Sequence, residues 1–297
     1  MTGSLLISLD CEGKWGFADD PRILDDDTIS DASLRDAYDF LFRSLDDNGL
    51  CATFAVVGLF VAGRDRTEHH VRSVADDPTH RRWLAVPRAA LESGRTGGWF
   101  FEDLPARVLA SGRHELASHG YSHLPFDFPG VDQAVARREL QSMHEVSVES
   151  RWGIESMVYP RNAVAHTELL AEHGIRRYRS SIEPVTLPER VRSLVGEFYV
   201  HAAADPGAGG DGQVSPGRLV NWRSGPRRVV PFPVTLRRWR GIMSHAAASG
   251  GCAHLWFHPH NLVTGHRQRE LVGAILASAG GFVRRGELRS LTFRDAA

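Results

Sequence analysis

Short apolar runs bounded by polar turns recur along almost the whole chain, with segments of helical spacing between them. That alternation constrains the fold more than any other feature. Ser4 to Asp10 opens the series as a strand. After an acidic loop, Leu34, Ala37, Tyr38, Leu41, Phe42 and Leu45 recur at three- and four-residue steps, the period of an amphipathic helix, which Gly49 is placed to end. Cys51 to Gly58 follows as a continuous apolar run, the pattern of a strand buried on both faces. A strand, a helix and a second buried strand make a βαβ opening, whose strands run parallel.

The alternation continues. Leu104 to Ser111 is expected as a helix stopped by Gly112, and Glu115 to Ser118 as the next strand. A helix from Asp132 to Trp152, a strand Met157 to Tyr159 and a helix Thr167 to His173 come after it. The apolar run Val229 to Val234 resumes the pattern, followed by a helix around Arg237 to Ala248 and a strand Cys252 to Phe257. A helix Gln268 to Ala279 and a closing strand near Ser290 to Phe293 complete the series. Ala62 to Trp99 lacks clear periodicity and is read as a long excursion over the rim with one short helix. Ala203 to Gly217, rich in Gly, Asp and Pro, is a loop by composition. Repeated βα units over 297 residues point to one α/β domain spanning 1–297, a parallel barrel or a doubly wound sheet. In either architecture ligands gather at the carboxyl ends of the strands.

Composition narrows the partners. Charged residues make up 24% with a formal net charge of -1, so no electrostatic footprint for nucleic acid is present and a neutral or modest-sized substrate fits better. No basic stretch followed by an apolar signal segment precedes the first strand, and no apolar run is long enough to span a bilayer; a cytoplasmic protein without membrane insertion is expected. Cys11, Cys51 and Cys252 each sit in an apolar strand-like run without CxxC spacing, which suits reduced thiols. The oligomeric state is left open.

Chemistry concentrates at the ends of the expected strands. Asp10 and Glu12 stand one position apart, so strand alternation turns both to one side and Cys11 to the other. Two carboxylates so close repel each other unless a cation or a proton-transfer task divides their roles. His119 and His123 lie four apart just beyond the Glu115 to Ser118 strand, and both imidazoles can face one point. With a carboxylate from another strand end they would form a set of two nitrogens and one oxygen, leaving an open position as a catalytic zinc-type site needs. Glu12 is the best third ligand, and Asp10 is then free to act as base. His258, at the end of Cys252 to Phe257, could protonate a leaving amine, with His260 competing for the same role. Arg161, after another strand, could clamp Asp10 or a substrate carboxylate, or be a plain surface arginine.

Taken in order, Ser8-Leu9-Asp10-Cys11-Glu12-Gly13, Ala52 to Gly58, His114 to His123, Tyr159-Pro160-Arg161 and Leu255-Trp256-Phe257-His258 resemble the polysaccharide deacetylase (NodB homology) superfamily, in an Asp-x-Glu variant. The resemblance runs from residue 4 to about 260. It implies a distorted (β/α)7 TIM-like barrel, a divalent metal, usually zinc, and hydrolysis of an N-acyl group from an amino sugar or a related C–N bond. By the same resemblance Asp10 is the catalytic base, His119 and His123 are the metal histidines, and His258 is the general acid. Arg161 corresponds to the arginine that orients the base. The chain departs from the family pattern in three respects. Cys11 separates two carboxylates that are commonly adjacent, so Glu12 has to be the ligand. Pro160-Arg161 replaces the usual Arg-x-Pro order. No Asp or Glu occurs between Asp211 and Glu270, where a carboxylate that tunes the general acid usually lies.

The expected activity is metal-dependent removal of an N-acyl group, above all N-acetyl, from an amino sugar or small sugar-containing metabolite in the cytosol. A deformylase or cyclic amide hydrolase on the same barrel is the nearest rival, and a non-catalytic barrel binding a glycan or partner is the next. Use of Cys11 as thiolate ligand or nucleophile is disfavoured by its direction on the strand.

Overall fold

A computed structural model describes residues 2–181 and 212–296. The strands are mostly parallel and alternate with helices, the α/β class expected of a distorted (β/α)7 barrel. The chain packs as two compact units, each discontinuous in sequence. One comprises Met1–Leu9, Asp36–Thr53 and Arg179–Ala297, the other Asp10–Arg35 and Phe54–Tyr178.

In the first unit, strand β1 (Gly3–Cys11) contributes its residues up to Leu9. These run parallel to β8 (Cys252–Phe257), from Ser4 opposite Cys252 to Leu9 opposite Phe257. On the other side of β1 lies β9 (Leu288–Leu291), also parallel. A strand flanked on both edges must be apolar on both faces, which is why Leu5, Leu6, Ile7 and Leu9 form a run rather than an alternation. Two long helices, Phe232–Ser249 and Gln268–Arg284, belong to this unit, and each buries one stripe, Trp239, Ile242, Met243 and Ala246 on the first.

The second unit holds the carboxyl ends of several strands. Val57 N–H donates to Cys11 O at 3.1 Å, His119 N–H to Val56 O at 2.8 Å, and Val158 N–H to Ser118 O at 2.8 Å. These bonds join the end of β1 to β2 (Thr53–Val56), β3 (Glu115–Ser118) and β4 (Ser156–Met157). Ser118 is opposite Met157, and Met157 opposite Tyr178 of β5 (Arg177–Arg179), all parallel. Each strand therefore delivers its last residue to the same edge as its neighbour.

Three readings from periodicity are corrected. The segment Ala62 to Trp99 is not a loop with one helix: it carries α3 (Arg64–Ser73), α4 (Pro78–Trp83) and α5 (Ala85–Ser93), after α1 (Asp31–Asp47) and α2 (Gly58–Ala62). The buried faces of α3 and α4 mix Thr67, His70, Val71, Thr79, His80 and Trp83, so no apolar stripe announces them, and α5 buries only Val86, Pro87 and Ala90. Local signals do start α4, where Asp77 accepts the amides of Thr79 and His80 and Pro78 opens the first turn. Val229 to Val234 is the junction of a 3-10 turn and the helix Phe232–Ser249, not a strand; Pro231 and Pro233 remove the ladder donors a strand needs. Thr167 to His173 forms two 3-10 turns instead of an α-helix. Of the loop expected at Ala203 to Gly217, residues 203–211 lie outside the described residues. Cys11 and Cys252 are buried, as their apolar strands require, whereas Cys51, read as a buried thiol like the other two, precedes β2 and is half-buried.

Candidate metal centre

Asp10 is the penultimate residue of β1 and 2% exposed, while Glu12 stands one residue past the strand end and is 4% exposed. Glu12 turns the chain into a 3-10 helix (Gly13–Phe17), with Trp15 N–H donating to its carbonyl at 2.9 Å. The turn folds Gly16 against the Glu12 carboxylate so closely that a Cβ there would lie 2.0 Å from Oε1. Only glycine lets the backbone back the carboxylate. Trp15 locks the turn from behind, donating its Nε1 proton to Trp99 O at 2.9 Å and meeting the Trp99 ring edge-on at 5.2 Å.

The two histidines sit on the loop that leaves β3. Gly120 N–H donates to Ser118 Oγ at 3.1 Å, and Gly120 takes φ +75°, where a Cβ would also lie 2.9 Å from Pro160 Cγ. Its carbonyl and that of Tyr121 receive the amides of Gly58 and Leu59, at 2.9 and 2.8 Å, from the first turn of α2. Trp83 Nε1–H donates to Ser122 O at 2.9 Å. Glu139, from the middle of α7 (Gln133–Glu149), accepts both the Ser122 amide and hydroxyl at 2.9 Å. These anchors hold His123 at φ +60°, a left-handed conformation that costs a residue with a side chain about 1–2 kcal/mol.

The rings converge on one oxygen. His119 Nδ1 is 2.8 Å from Val158 O, which can only accept, so the Nδ1 proton is fixed there and Nε2 faces Glu12 Oε2 at 3.1 Å. His123 Nε2 lies 2.9 Å from the same Oε2, and neither of its ring nitrogens makes an aligned hydrogen bond. Both imidazoles are fully buried. Burial works against a charged His119, but the Glu12 hydrogen bond and the Asp10 and Glu12 charges outweigh it and raise its pKa. For His123 burial dominates, with the Glu12 charge opposing it and the His119 and Arg161 charges reinforcing it, so its pKa falls.

A divalent cation fits this donor set. With Nδ1 protonated, a neutral His119 directs a lone pair at a carboxylate lone pair, and His123 brings a second nitrogen without a hydrogen-bond partner. With no proton on either Nε2, such an arrangement repels itself unless a cation lies among the three atoms. Two imidazoles and one carboxylate are the ligands of open catalytic zinc sites. The spacing of Glu12, His119 and His123 as a ligand group is met, with candidate atoms within 4.8 Å of one another.

The remaining site candidates occupy strand ends too. Asp10 is close enough for its charge to act on His119. His258 and His260 follow β8, stacked with centroids 5.0 Å apart; His260 is buried and His258 half-buried. Arg161 lies in the turn after β4 at φ +55°, its guanidinium 5.2 Å from the Trp83 ring centroid. The carboxylate it holds is Asp19, with Nη1 3.0 Å from Oδ2, where the sequence suggested Asp10. Glu139 and Trp83, which anchor the loop carrying His119 and His123, were not anticipated. The available signal for Glu139 was a lone acid among Val135, Ala136, Leu140 and Met143 on the buried stripe of α7.

Among solved structures, a "putative polysaccharide deacetylase from Mycobacterium smegmatis" superposes with a TM-score of 0.55, at 17% identity, covering 97% of this chain and 93% of that one. The chain has the polysaccharide deacetylase fold. A family 4 carbohydrate esterase from Streptomyces lividans in complex with acetate is similar at a TM-score of 0.44 and 11% identity, over 97% of this chain and 91% of that one. The peptidoglycan deacetylase PdaC from Bacillus subtilis is similar at 0.44 and 11%, over 98% and 88%. No protein-family model and no curated protein matches the chain. In this polysaccharide deacetylase fold, no helix among the described residues is long and apolar enough to cross a membrane.

Proposed function

We propose that the chain is a metal-dependent hydrolase that removes an N-acyl group, above all N-acetyl, from an amino sugar or a small sugar-containing metabolite. The observation that carries this reading is the convergence of His119 Nε2 and His123 Nε2 on Glu12 Oε2, at 3.1 and 2.9 Å, in a buried site at strand ends. Glu12, His119 and His123 would hold one divalent ion, zinc by the chemistry of the ligands, which when bound supplies Lewis-acid polarisation of the acyl carbonyl and a lowered pKa for water.

The protein's own groups divide the proton traffic. Asp10 is the base that takes a proton from the attacking water, a role suited to a buried carboxylate that is not needed as a ligand. His258 returns a proton to the departing amine, which leaves poorly as an anion. Arg161, paired with Asp19 beside Trp83, contributes positive charge near His123 and orients the acyl substrate at the rim. The Val158 carbonyl fixes the tautomer of His119 so that Nε2 is the nitrogen offered to the ion.

The test is hydrolysis by the purified chain, stripped with chelator and reloaded with zinc, of N-acetylated amino sugars, nucleotide sugars and related formyl and cyclic amides. Acetate release that depends on added metal and on Asp10 supports the reading. Formate or a ring-opened acid would move the activity to the rival amide hydrolases. No product from a metal-loaded chain would leave binding as the function of the site.

A further inference from the structure

The second unit contains another group of potential ligands, outside the centre at Glu12. His70 of α3, His80 of α4 and Glu139 of α7 bring one ring nitrogen each and one carboxylate oxygen within 4.8 Å of one another. All three side chains are at least nine-tenths buried, at 9%, 1% and 1% exposure. His70 Nε2 is buried without a hydrogen-bond partner. An orphaned imidazole nitrogen in such a place is costly unless a ligand satisfies it.

The distances have the scale of a coordination shell. His80 Nε2 lies 3.3 Å from Glu139 Oε1. Two donors each about 2.0 Å from a tetrahedral ion are separated by about 3.3 Å. The other nitrogen of His80, Nδ1, lies 3.4 Å from Asp77 Oδ2 without an aligned hydrogen bond. Glu139 is itself fixed by Ser122, through both its amide and hydroxyl. An approach from solvent exists as well, since His70, Asp77, His80 and Glu139 line an open cleft of about 1000 Å³.

We propose that His70, His80 and Glu139 form a second divalent-cation site, distinct from the centre at Glu12, His119 and His123. Its two imidazoles and one carboxylate select zinc, cobalt or nickel over magnesium or calcium. On binding, the proton between His80 Nε2 and Glu139 Oε1 passes to solvent, and the ion takes its place between the two atoms. The fourth position faces the cleft. Because Glu139 also holds Ser122, next to His123, occupation of this site stiffens the loop that carries both histidines of the first centre.

The proposal is independent of the hydrolase reading and is tested without activity. The full chain is stripped with chelator and titrated with cobalt(II), and bound ion is counted by elemental analysis and by the visible ligand-field absorption. Wild type is expected to bind two equivalents, Glu12→Gln one, and Glu12→Gln combined with His70→Gln none. His70→Gln and His80→Gln alone, which leave the Glu12 centre intact, should each lose one equivalent and its share of the absorption. A single wild-type equivalent that Glu12→Gln removes, or a count unchanged by both His70→Gln and His80→Gln in folded protein, overturns the proposal. An equivalent removed by His70→Gln but not by Glu12→Gln keeps this site and removes the other. Should one histidine variant fail to fold, the other variant and the wild-type count still decide.

Discussion

At the residue scale the carboxylates Asp10 and Glu12 meet different partners, and the proposed hydrolase gives them separate tasks. Glu12 meets both imidazoles, while Asp10 acts on His119 through its charge. Replacing Asp10 by Asn should therefore leave the metal stoichiometry unchanged and lower kcat by about a hundred- to ten-thousand-fold, the usual worth of a general base. Metal content and turnover measured on the same preparation check this. Glu12→Gln, His119→Gln and His123→Gln should instead lose the ion and activity together. The convergence of Glu12, His119 and His123 was legible because Asp10 and Glu12, and likewise His119 and His123, are local patterns at strand ends. Glu139 was not, since its effect on Ser122 depends on how α7 packs rather than on any nearby residue. Asp19, the partner of Arg161, was not named for the same reason: it lies 142 positions away in sequence.

At the element scale the strands and their loops decide precision. β1, β2 and β8 were readable from apolar runs, because strands enclosed on both faces admit little else. Helices α3 and α4 were not, because histidine, threonine and tryptophan make up much of their buried faces. The loop after β3 is the element on which the centre depends most. Gly120→Ala should destabilise the chain by about 1–2 kcal/mol from the left-handed backbone alone. The clash with Pro160 adds to that, and the shifted histidines should weaken metal binding by at least about tenfold. Thermal unfolding of stripped protein reads the first effect, and a competitive chelator titration the second. Unchanged affinity in folded Gly120→Ala would mean that the loop does not position the ligands.

At the scale of the whole molecule, the α/β class followed from the alternation of elements, whereas the division into two compact units did not, since each unit is assembled from distant segments. All three proposed ligands, Glu12, His119 and His123, and both anchors of their loop, Trp83 and Glu139, fall within the unit of Asp10–Arg35 and Phe54–Tyr178. Metal binding should consequently stabilise that unit. Ion at a hundred times its Kd adds about 2.7 kcal/mol. Stripping should lower Tm by several degrees, reversibly on adding zinc, and acidification should have the same effect because protonated imidazoles release the ion. A Tm indifferent to chelator would argue against a resident metal.

The central claim is that Glu12, His119 and His123 share one cation. Anomalous scattering from crystals of the zinc-loaded chain, recorded on either side of the zinc edge, tests it most directly. The account predicts a peak about 2.0–2.2 Å from a Glu12 oxygen and from Nε2 of both histidines. Zinc-loaded crystals with those three side chains hydrogen-bonded to one another and no peak among them would contradict it.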